Sequence, residues 1–79
     1  MDNYNKEVLY ILRWIRMGVI ACRIAEMLGI SPLQALKDFY RSATCKKFQE
    51  RSTGLYIQSD NYIADNYLIE KGFLKGDNF

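Results

Sequence analysis

The sequence predicts an all-α fold: a small orthogonal bundle of three to four helices with a helix-turn-helix-like corner at residues 28–32. Three observations lead to this prediction. Apolar residues recur at helical spacing along residues 3–28, a helix stop and a helix start follow at once in Gly29-Ile30-Ser31-Pro32, and residues 59–71 form a further capped, amphipathic segment. At 79 residues, the chain forms one domain with a small core, which needs dense packing or a partner.

The corner rests on local rules that agree with one another. Gly29 suits the position just past a helix, where a left-handed backbone is needed. Ser31 and Pro32 suit the cap and the first residue of the next helix. In the capping box Ser-x-x-Gln, the Ser31 hydroxyl accepts from the N–H of Gln34, and the Gln34 side chain reaches back to the N–H of Ser31. We therefore expect one helix to end within two residues of Gly29 and another to begin at Ser31 or Pro32.

The first helix spans about residues 3–28, either as one element or as two joined near Gly18. Glycine costs about 1 kcal/mol against alanine in a helix interior, so Gly18 either permits the close approach of another helix or marks a break. Residues at alternating spacings of three and four predict the stripe that faces the core, which Leu12 and Val19 widen. The stripe consists of Tyr4, Val8, Ile11, Ile15, Gly18, Cys22 and Ala25.

The second helix begins at Ser31-Pro32 and carries one apolar side. That side consists of Leu33, Leu36, Phe39, Tyr40 and Ala43. We expect a pause near Thr44, which would cap a short third helix that inserts Phe48 into the core.

A turn at residues 51–54 leads into residues 55–58, which we interpret as an extended connector that pins Leu55 and Ile57. Ser59 or Asp60 then caps a last helix that runs to about residue 71 and ends at Gly72. Its broad apolar side includes Tyr62, Ile63, Tyr67 and Ile69, and the two residues after Gly72 are placed to fold back on the helix end. Residues 75–79 are expected to be a loose tail.

Composition excludes several kinds of chemistry. The chain has no histidine, so Ser-His-Asp and Cys-His catalysis and the usual zinc-activated water lack their key member. Two cysteines without CxxC spacing make a poor metal site and suit a reducing cytoplasm. Asp60, Asp65 and Glu70 recur every five residues and spiral around their helix, so they form no acid and base pair. No phosphate-binding glycine loop is present either. We therefore expect neither an enzyme nor a bound cofactor or metal.

The charge pattern and the lack of a long apolar run bear on partners. Net charge is only +2, but residues 1–51 hold nine Lys/Arg and five Asp/Glu, whereas residues 52–79 hold two and four. A basic face could meet an acidic partner, although surface charges usually do no more than solvate the protein.

The longest uncharged piece of the apolar run at residues 8–24 is residues 17–22, far shorter than the ~20 residues that cross a bilayer. We expect no membrane anchoring.

Residues 23–31 look like the first helix and turn of a helix-turn-helix unit that binds DNA, with the small Ala25 at the helix crossing. The match weakens in the second helix, where Ala35 and Asp38 stand at positions that call for branched apolar residues. A small DNA-binding regulator is therefore the alternative function. Its phosphate contacts would be Lys37, Arg41, Lys46 and Lys47.

Eleven aromatic residues in so short a chain either form the whole core or leave a surface patch that binds a protein partner or a second copy of the chain. The two outcomes are about equally expected from the sequence. If a patch exists, its candidate residues are Trp14, Tyr56 and Tyr62.

Two strings within residues 8–70 resemble a family of short, uncharacterised bacterial proteins. They are Ser31-Pro32-x-x-Ala35-x-x-x-Phe39-Tyr40-x-Ser42 and Thr53-Gly54-Leu55-Tyr56-x-Gln58-Ser59-x-x-Tyr62. Such proteins look like the small companions encoded beside ADP-ribosyltransferase-like toxin genes. The resemblance implies an antitoxin-like or accessory role in the bacterial cytoplasm, and it carries no functional residues over to this chain.

Overall fold

Four α-helices and two short 3₁₀ turns make up the chain in a computed structural model that describes residues 6–74. The helices are α1 (Lys6–Leu28), α2 (Pro32–Tyr40), α3 (Ala43–Gln49) and α4 (Asp60–Glu70), and the 3₁₀ turns are Arg51–Thr53 and Leu55–Ile57. No strand occurs in residues 6–74, so the all-α prediction is confirmed. The predicted tail at residues 75–79 lies outside the described residues.

The predicted corner is present. Helix α1 ends at Leu28, Gly29 adopts the left-handed conformation with φ of 71°, and Pro32 is the first residue of α2. The Ser31 hydroxyl accepts a hydrogen bond from the backbone N–H of Gln34 at 3.1 Å. The Gln34 side chain does not reach back, because its Nε2 donates to the Asp38 carboxylate at 3.0 Å. The cap is therefore one half of a capping box.

Helix α1 runs without interruption through Gly18. A methyl group at this position would meet no atom of a neighbouring element within 4 Å. The single-helix interpretation is thus confirmed, and Gly18 serves neither as a break nor as a point of close helix approach.

Helices α2 and α4 both pack against α1, and α3 packs against α4. The rings of Phe39 on α2 and Tyr67 on α4 meet edge to face, with centroids 5.8 Å apart. Phe48 of α3 is buried, as predicted. The core consists of Met17, Ile20, Ala21, Ile24, Ala25, Ala35, Phe39, Cys45, Phe48, Ile63, Ala64, Tyr67 and Leu68.

The predicted core stripe of α1 is wrong for most of its described length; its first member, Tyr4, lies outside the described residues. Ile11, Ile15 and Val19 are 50–58% exposed, and Cys22 is exposed as well. The core receives the face that contains Met17 instead. Helix α1 carries apolar residues on two opposite faces, and helical periodicity gives the angle of each face but not the one that its neighbours cover.

The second and third helices also differ in detail from the prediction. Ala35 is fully buried, whereas Leu33 and Tyr40 are 61% and 50% exposed, so the buried side of α2 is narrower than expected. The cap of α3 is Ser42, whose hydroxyl accepts from the N–H of Cys45 at 3.0 Å. Thr44 is the second residue of α3, and its hydroxyl instead donates to Glu70.

Residues 55–57 form a 3₁₀ turn and not an extended connector. Gly54 is left-handed with φ of 73°, and it turns the chain so that the N–H of Ile57 donates back to the Gly54 carbonyl at 3.1 Å. Leu55 packs against the core as predicted, but Ile57 is 71% exposed. A 3₁₀ helix has three residues per turn, so the side chains of Leu55 and Ile57, two residues apart, point in different directions and cannot both face the core.

Helix α4 begins and ends as predicted. The Ser59 hydroxyl accepts from the N–H of Tyr62 at 3.1 Å, and Gly72 is left-handed at the other end. The chain does fold back there, because the N–H of Phe73 donates to the carbonyl of Leu68 at 2.8 Å. This is the bond that defines a Schellman cap.

Candidate protein-interaction surface

The first half of α1 extends away from the core and exposes most of its apolar residues. No residue from Lys6 to Arg16 is fully buried. Six of the seven residues from Leu9 to Ile15 are large and apolar, and each of them is 47–58% exposed. Helices α2 and α4 have 9 and 11 residues against the 23 of α1, so they cannot cover its whole length. This half of α1 is therefore an exposed apolar surface.

One part of this surface is an outer stripe formed by Ile11, Leu12, Ile15 and Val19. These residues lie one helical turn apart and project from the side of α1 opposite its buried face. Their exposures run from 49% to 58%. Apolar rows at this spacing are the usual contact surface of one helix against another.

Beside the outer stripe lies a groove between α1 and the segment that contains the two 3₁₀ turns. Its volume is about 420 Å³, within the range of small binding sites. Two of its residues, Leu12 and Ile15, also belong to the outer stripe, so the two surfaces are continuous. We call it the arginine groove; its lining consists of Leu9, Leu12, Arg13, Ile15, Arg16, Phe48, Gln49, Arg51 and Tyr56.

Arg16 holds one wall of the arginine groove in place. Its guanidinium donates to the Asp60 carboxylate at 2.7 and 2.9 Å and to the carbonyls of Tyr56 and Gln58 at 2.6 and 2.8 Å. The same group lies over the Phe48 ring, 5.1 Å from its centroid. Most of its N–H donors are therefore used, and Arg16 is a positioning residue for the 3₁₀ turn.

The other two arginines of the groove, Arg13 and Arg51, differ from Arg16 in their contacts. Arg13 lies over the Tyr10 ring at 5.4 Å and Arg51 over the Tyr56 ring at 5.9 Å. Within residues 6–74, neither guanidinium has an ion pair, and no acidic residue lines the arginine groove. The groove thus combines an apolar floor with two cationic groups that lack a carboxylate partner in the described part of the chain.

The structure places the three aromatic candidates on the surface but in different locations. Trp14 is 48% exposed and stacks on Tyr40 of α2, with ring centroids 5.4 Å apart. Tyr56 lines the arginine groove, which lies on another side of α1, since Trp14 and Arg16 are about 200° apart around the helix. Tyr62, on the first turn of α4, is 50% exposed and lines neither feature. They do not form one patch.

The four residues named for DNA contact are all exposed, on α2, on α3 and at the junction between them. They are Lys37, Arg41, Lys46 and Lys47. Arg41 shares a shallow depression with Lys71 and also with the carboxylate of Asp38. That carboxylate would oppose a phosphate at this point of the surface.

Among residues 6–74, three titratable groups have shifted pKa values, and none of the three lies in the arginine groove. Burial raises the pKa of the Cys45 thiol, and burial together with the charges of Asp38 and Glu70 raises that of Tyr67. Burial also acts to raise the pKa of Glu70, but hydrogen bonds from the Thr44 hydroxyl and from the N–H groups of Ala43 and Thr44 outweigh it, so the pKa is lowered. Of these groups, Glu70 joins the start of α3 to the end of α4.

Neither Arg13 nor Arg51 is among the candidate site residues named from the sequence. A sequence signal for Arg13 was present, because a basic residue stands among the apolar residues of the outer half of α1. Arg51 is 38 positions away, and only the fold brings it to the same groove. No group of three or more Cys, Asp or Glu residues that could hold a metal ion occurs in residues 6–74.

Of the helices described in residues 6–74, none combines the length and the apolar character needed to cross a membrane. Comparison of the chain with protein-family models, with curated proteins and with solved structures found no match.

Proposed function

We propose that the protein is a non-enzymatic interaction module that binds a partner protein through the exposed apolar half of α1. The observation that carries the proposal is the run from Leu9 to Ile15, in which six of seven residues are large, apolar and about half exposed. Exposed apolar surface of this density on a small protein is typical of an interface.

The geometry of α1 adds support. The outer stripe has the spacing with which one helix packs along another, and the residues of the opposite face fix α1 to the bundle. A partner helix can therefore dock without any rearrangement of the core. The aromatic anchors of the same half of α1, Tyr10 and Trp14, are of the types that dominate binding energy in interfaces.

The resemblance within residues 8–70 to small companions of ADP-ribosyltransferase-like toxins suggests the kind of partner. On this proposal the protein acts in the bacterial cytoplasm as an antitoxin-like or accessory component and binds a toxin encoded by a neighbouring gene. A second copy of the chain is the other partner that the same surface could accept.

Co-purification with the product of the neighbouring gene tests the proposal, together with light scattering of the protein alone at micromolar concentration. We expect a complex or a dimer that is lost in the double variant Ile11→Ser, Ile15→Ser. Leu33→Ser is the matched control, since Leu33 is 61% exposed on α2 and lies away from this surface. A strictly monomeric protein that binds no neighbouring product would overturn the proposal, as would a complex that survives the double variant.

A further inference from the structure

We infer that the arginine groove receives an acidic amphipathic helix, which seats apolar side chains on Leu9, Leu12 and Ile15 and places carboxylates against Arg13 and Arg51. The inference rests on the proposed function, since it names the chemistry of the partner that this surface accepts. It depends on charge complementarity and on the shape of the apolar floor.

The charges of the groove define the sign of its occupant. Three arginines and no acidic residue line it, and Asp60 already compensates Arg16 through a 2.7 Å ion pair. Arg13 and Arg51 retain their charge without a carboxylate partner in residues 6–74. The Arg51 guanidinium lies over the ring of Tyr56, which lines the groove, and the Arg13 guanidinium lies over the ring of Tyr10, which does not. In both contacts the N–H donors stay available to a carboxylate. A partner with carboxylates beside its apolar residues satisfies both arginines.

The shape of the surface selects a helix over a compact small molecule. Leu12 and Ile15 belong both to the groove and to the outer stripe, so the apolar surface continues along α1 beyond the cavity itself. From Leu9 to Val19 it extends ten residues, or about 15 Å of helix. An amphipathic helix of three turns has the length and the row of side chains to cover this surface.

The wall formed by the 3₁₀ turn is already in position. Arg16 fixes the carbonyls of Tyr56 and Gln58, and Tyr56 itself lines the groove. The partner helix therefore binds beside a wall that the fold has set, and little ordering of this protein opposes the binding at Tyr56.

The test uses three designed helical peptides of about 18 residues, long enough to form a helix when bound. All share one face of leucine, and the polar face carries glutamate, glutamine or lysine. Fluorescence anisotropy measures their binding to the full-length protein and to the variant Arg13→Glu, Arg51→Glu. The control variant is Arg41→Glu, which reverses an exposed charge outside the groove.

We expect the glutamate peptide to bind at least about tenfold more tightly than the lysine peptide, as two surface ion pairs allow. The groove variant should lose this preference and gain affinity for the lysine peptide, whereas Arg41→Glu should keep it. The gain is informative, because a misfolded variant would bind neither peptide. Equal binding of the three peptides, or an unchanged preference in the groove variant, would overturn the inference.

A titration with decanoate separates a helix from a free fatty acid, which shares the same carboxylate and apolar chemistry. Saturable binding of decanoate in the groove without binding of the glutamate peptide would also overturn the inference. The proposed function is tested separately from this inference. If the Ile11→Ser, Ile15→Ser variant loses its partner while peptide charge has no effect, the interface stands and only its acidic occupant is wrong.

Discussion

At the scale of single residues, Arg16 joins distant parts of the chain. It links α1 to a segment 40 to 44 positions away through one carboxylate and two carbonyls. These bonds are partly exposed, with about one third of each partner's side chain in the Arg16–Asp60 pair open to solvent. Together these bonds therefore contribute less to the free energy of folding than the same bonds in a buried network would.

Arg16→Met should lower the free energy of unfolding by about 2 kcal/mol, since methionine keeps an unbranched apolar side chain but removes all the hydrogen bonds and the guanidinium over the Phe48 ring. Urea unfolding followed by circular dichroism measures the change. Arg13→Met is the control and should stay within about 0.5 kcal/mol of the parent, because Arg13 forms no ion pair in residues 6–74. Equal losses in both variants would show that Arg16 does not fix the turn.

Glu70 links pH to stability. Its carboxylate accepts from the N–H groups of Ala43 and Thr44 at 3.0 and 2.9 Å and from the Thr44 hydroxyl at 2.6 Å, so its pKa is lower in the folded protein. A lowered pKa supplies stability above the ordinary carboxyl pKa, and that stability disappears as the pH falls through the folded value.

Glu70→Gln should therefore reduce stability at neutral pH by about 1 kcal/mol and remove part of its fall in acid, below about pH 4.5. Thermal unfolding from pH 7 to pH 3 measures both effects. Asp65→Asn on the same helix is the control, since Asp65 is exposed. If the two variants have the same pH profile, the carboxylate of Glu70 does not stabilise α3.

At the scale of elements, the α1–α2 corner is the best predicted feature of the molecule. Gly29, Ser31 and Pro32 each act through their own backbone or through a partner three residues away. Such local interactions can be recognised in a sequence, because no distant part of the chain takes part in them.

Ser31→Ala should cost about 1 kcal/mol of stability, because it removes the hydroxyl that accepts from the N–H of Gln34. The midpoint of urea unfolding measures the loss. Ser52→Ala, in an exposed 3₁₀ turn, is the comparison and should leave the midpoint almost unchanged. An unchanged midpoint in Ser31→Ala would refute the cap.

Substitution by alanine should change the stability in opposite directions at Gly18, in the middle of α1, and at Gly29, just past its end. Gly18→Ala should raise the free energy of unfolding by up to about 1 kcal/mol, since the helix is continuous there and the new methyl group has open space. Gly29→Ala should lower it by about 1 kcal/mol, because a side chain is strained at φ of 71°. Paired thermal unfolding curves test this, and shifts of the same sign would contradict it.

The apolar stripes of α1 show what the sequence could not decide. Ile11 and Ile15 are four residues apart and Met17 and Ile24 are seven apart, so both pairs have helical spacing, yet only the second pair is buried. The choice depends on where α2 and α4 lie, and their lengths limit how much of α1 they cover. The arginine groove could not be predicted for the same reason, because Arg51 and Tyr56 reach it only through the packing of α3 and the bond network of Arg16.

At the scale of the whole molecule, the exposed basic residues of α2 and α3 allow a direct test of the alternative function. A protein that binds duplex DNA through Lys37, Arg41, Lys46 and Lys47 would lose affinity steeply as salt rises, by counterion release. We expect no such binding for this chain.

Fluorescence anisotropy with a labelled duplex at low and physiological salt measures the affinity for DNA and its dependence on salt. Any binding through these residues should weaken in a Lys46→Ala, Lys47→Ala variant, whereas Arg23→Ala, which removes an exposed charge on α1, is the control for nonspecific charge effects. Nanomolar binding at physiological salt with a steep salt slope would make the DNA-binding regulator the better function.

The uneven burial of α1 has a consequence for its motion. From Lys6 to Arg16 no residue is fully buried, whereas Met17, Ile20 and Ile24 anchor the second half in the core. A segment as short as that from Lys6 to Arg16 is only marginally stable in water as an isolated helix. The amide hydrogens of the first three turns should therefore exchange with solvent much faster than those of the second half. A docked partner would slow this exchange, so part of its binding free energy would be spent in ordering the helix end on which it lies.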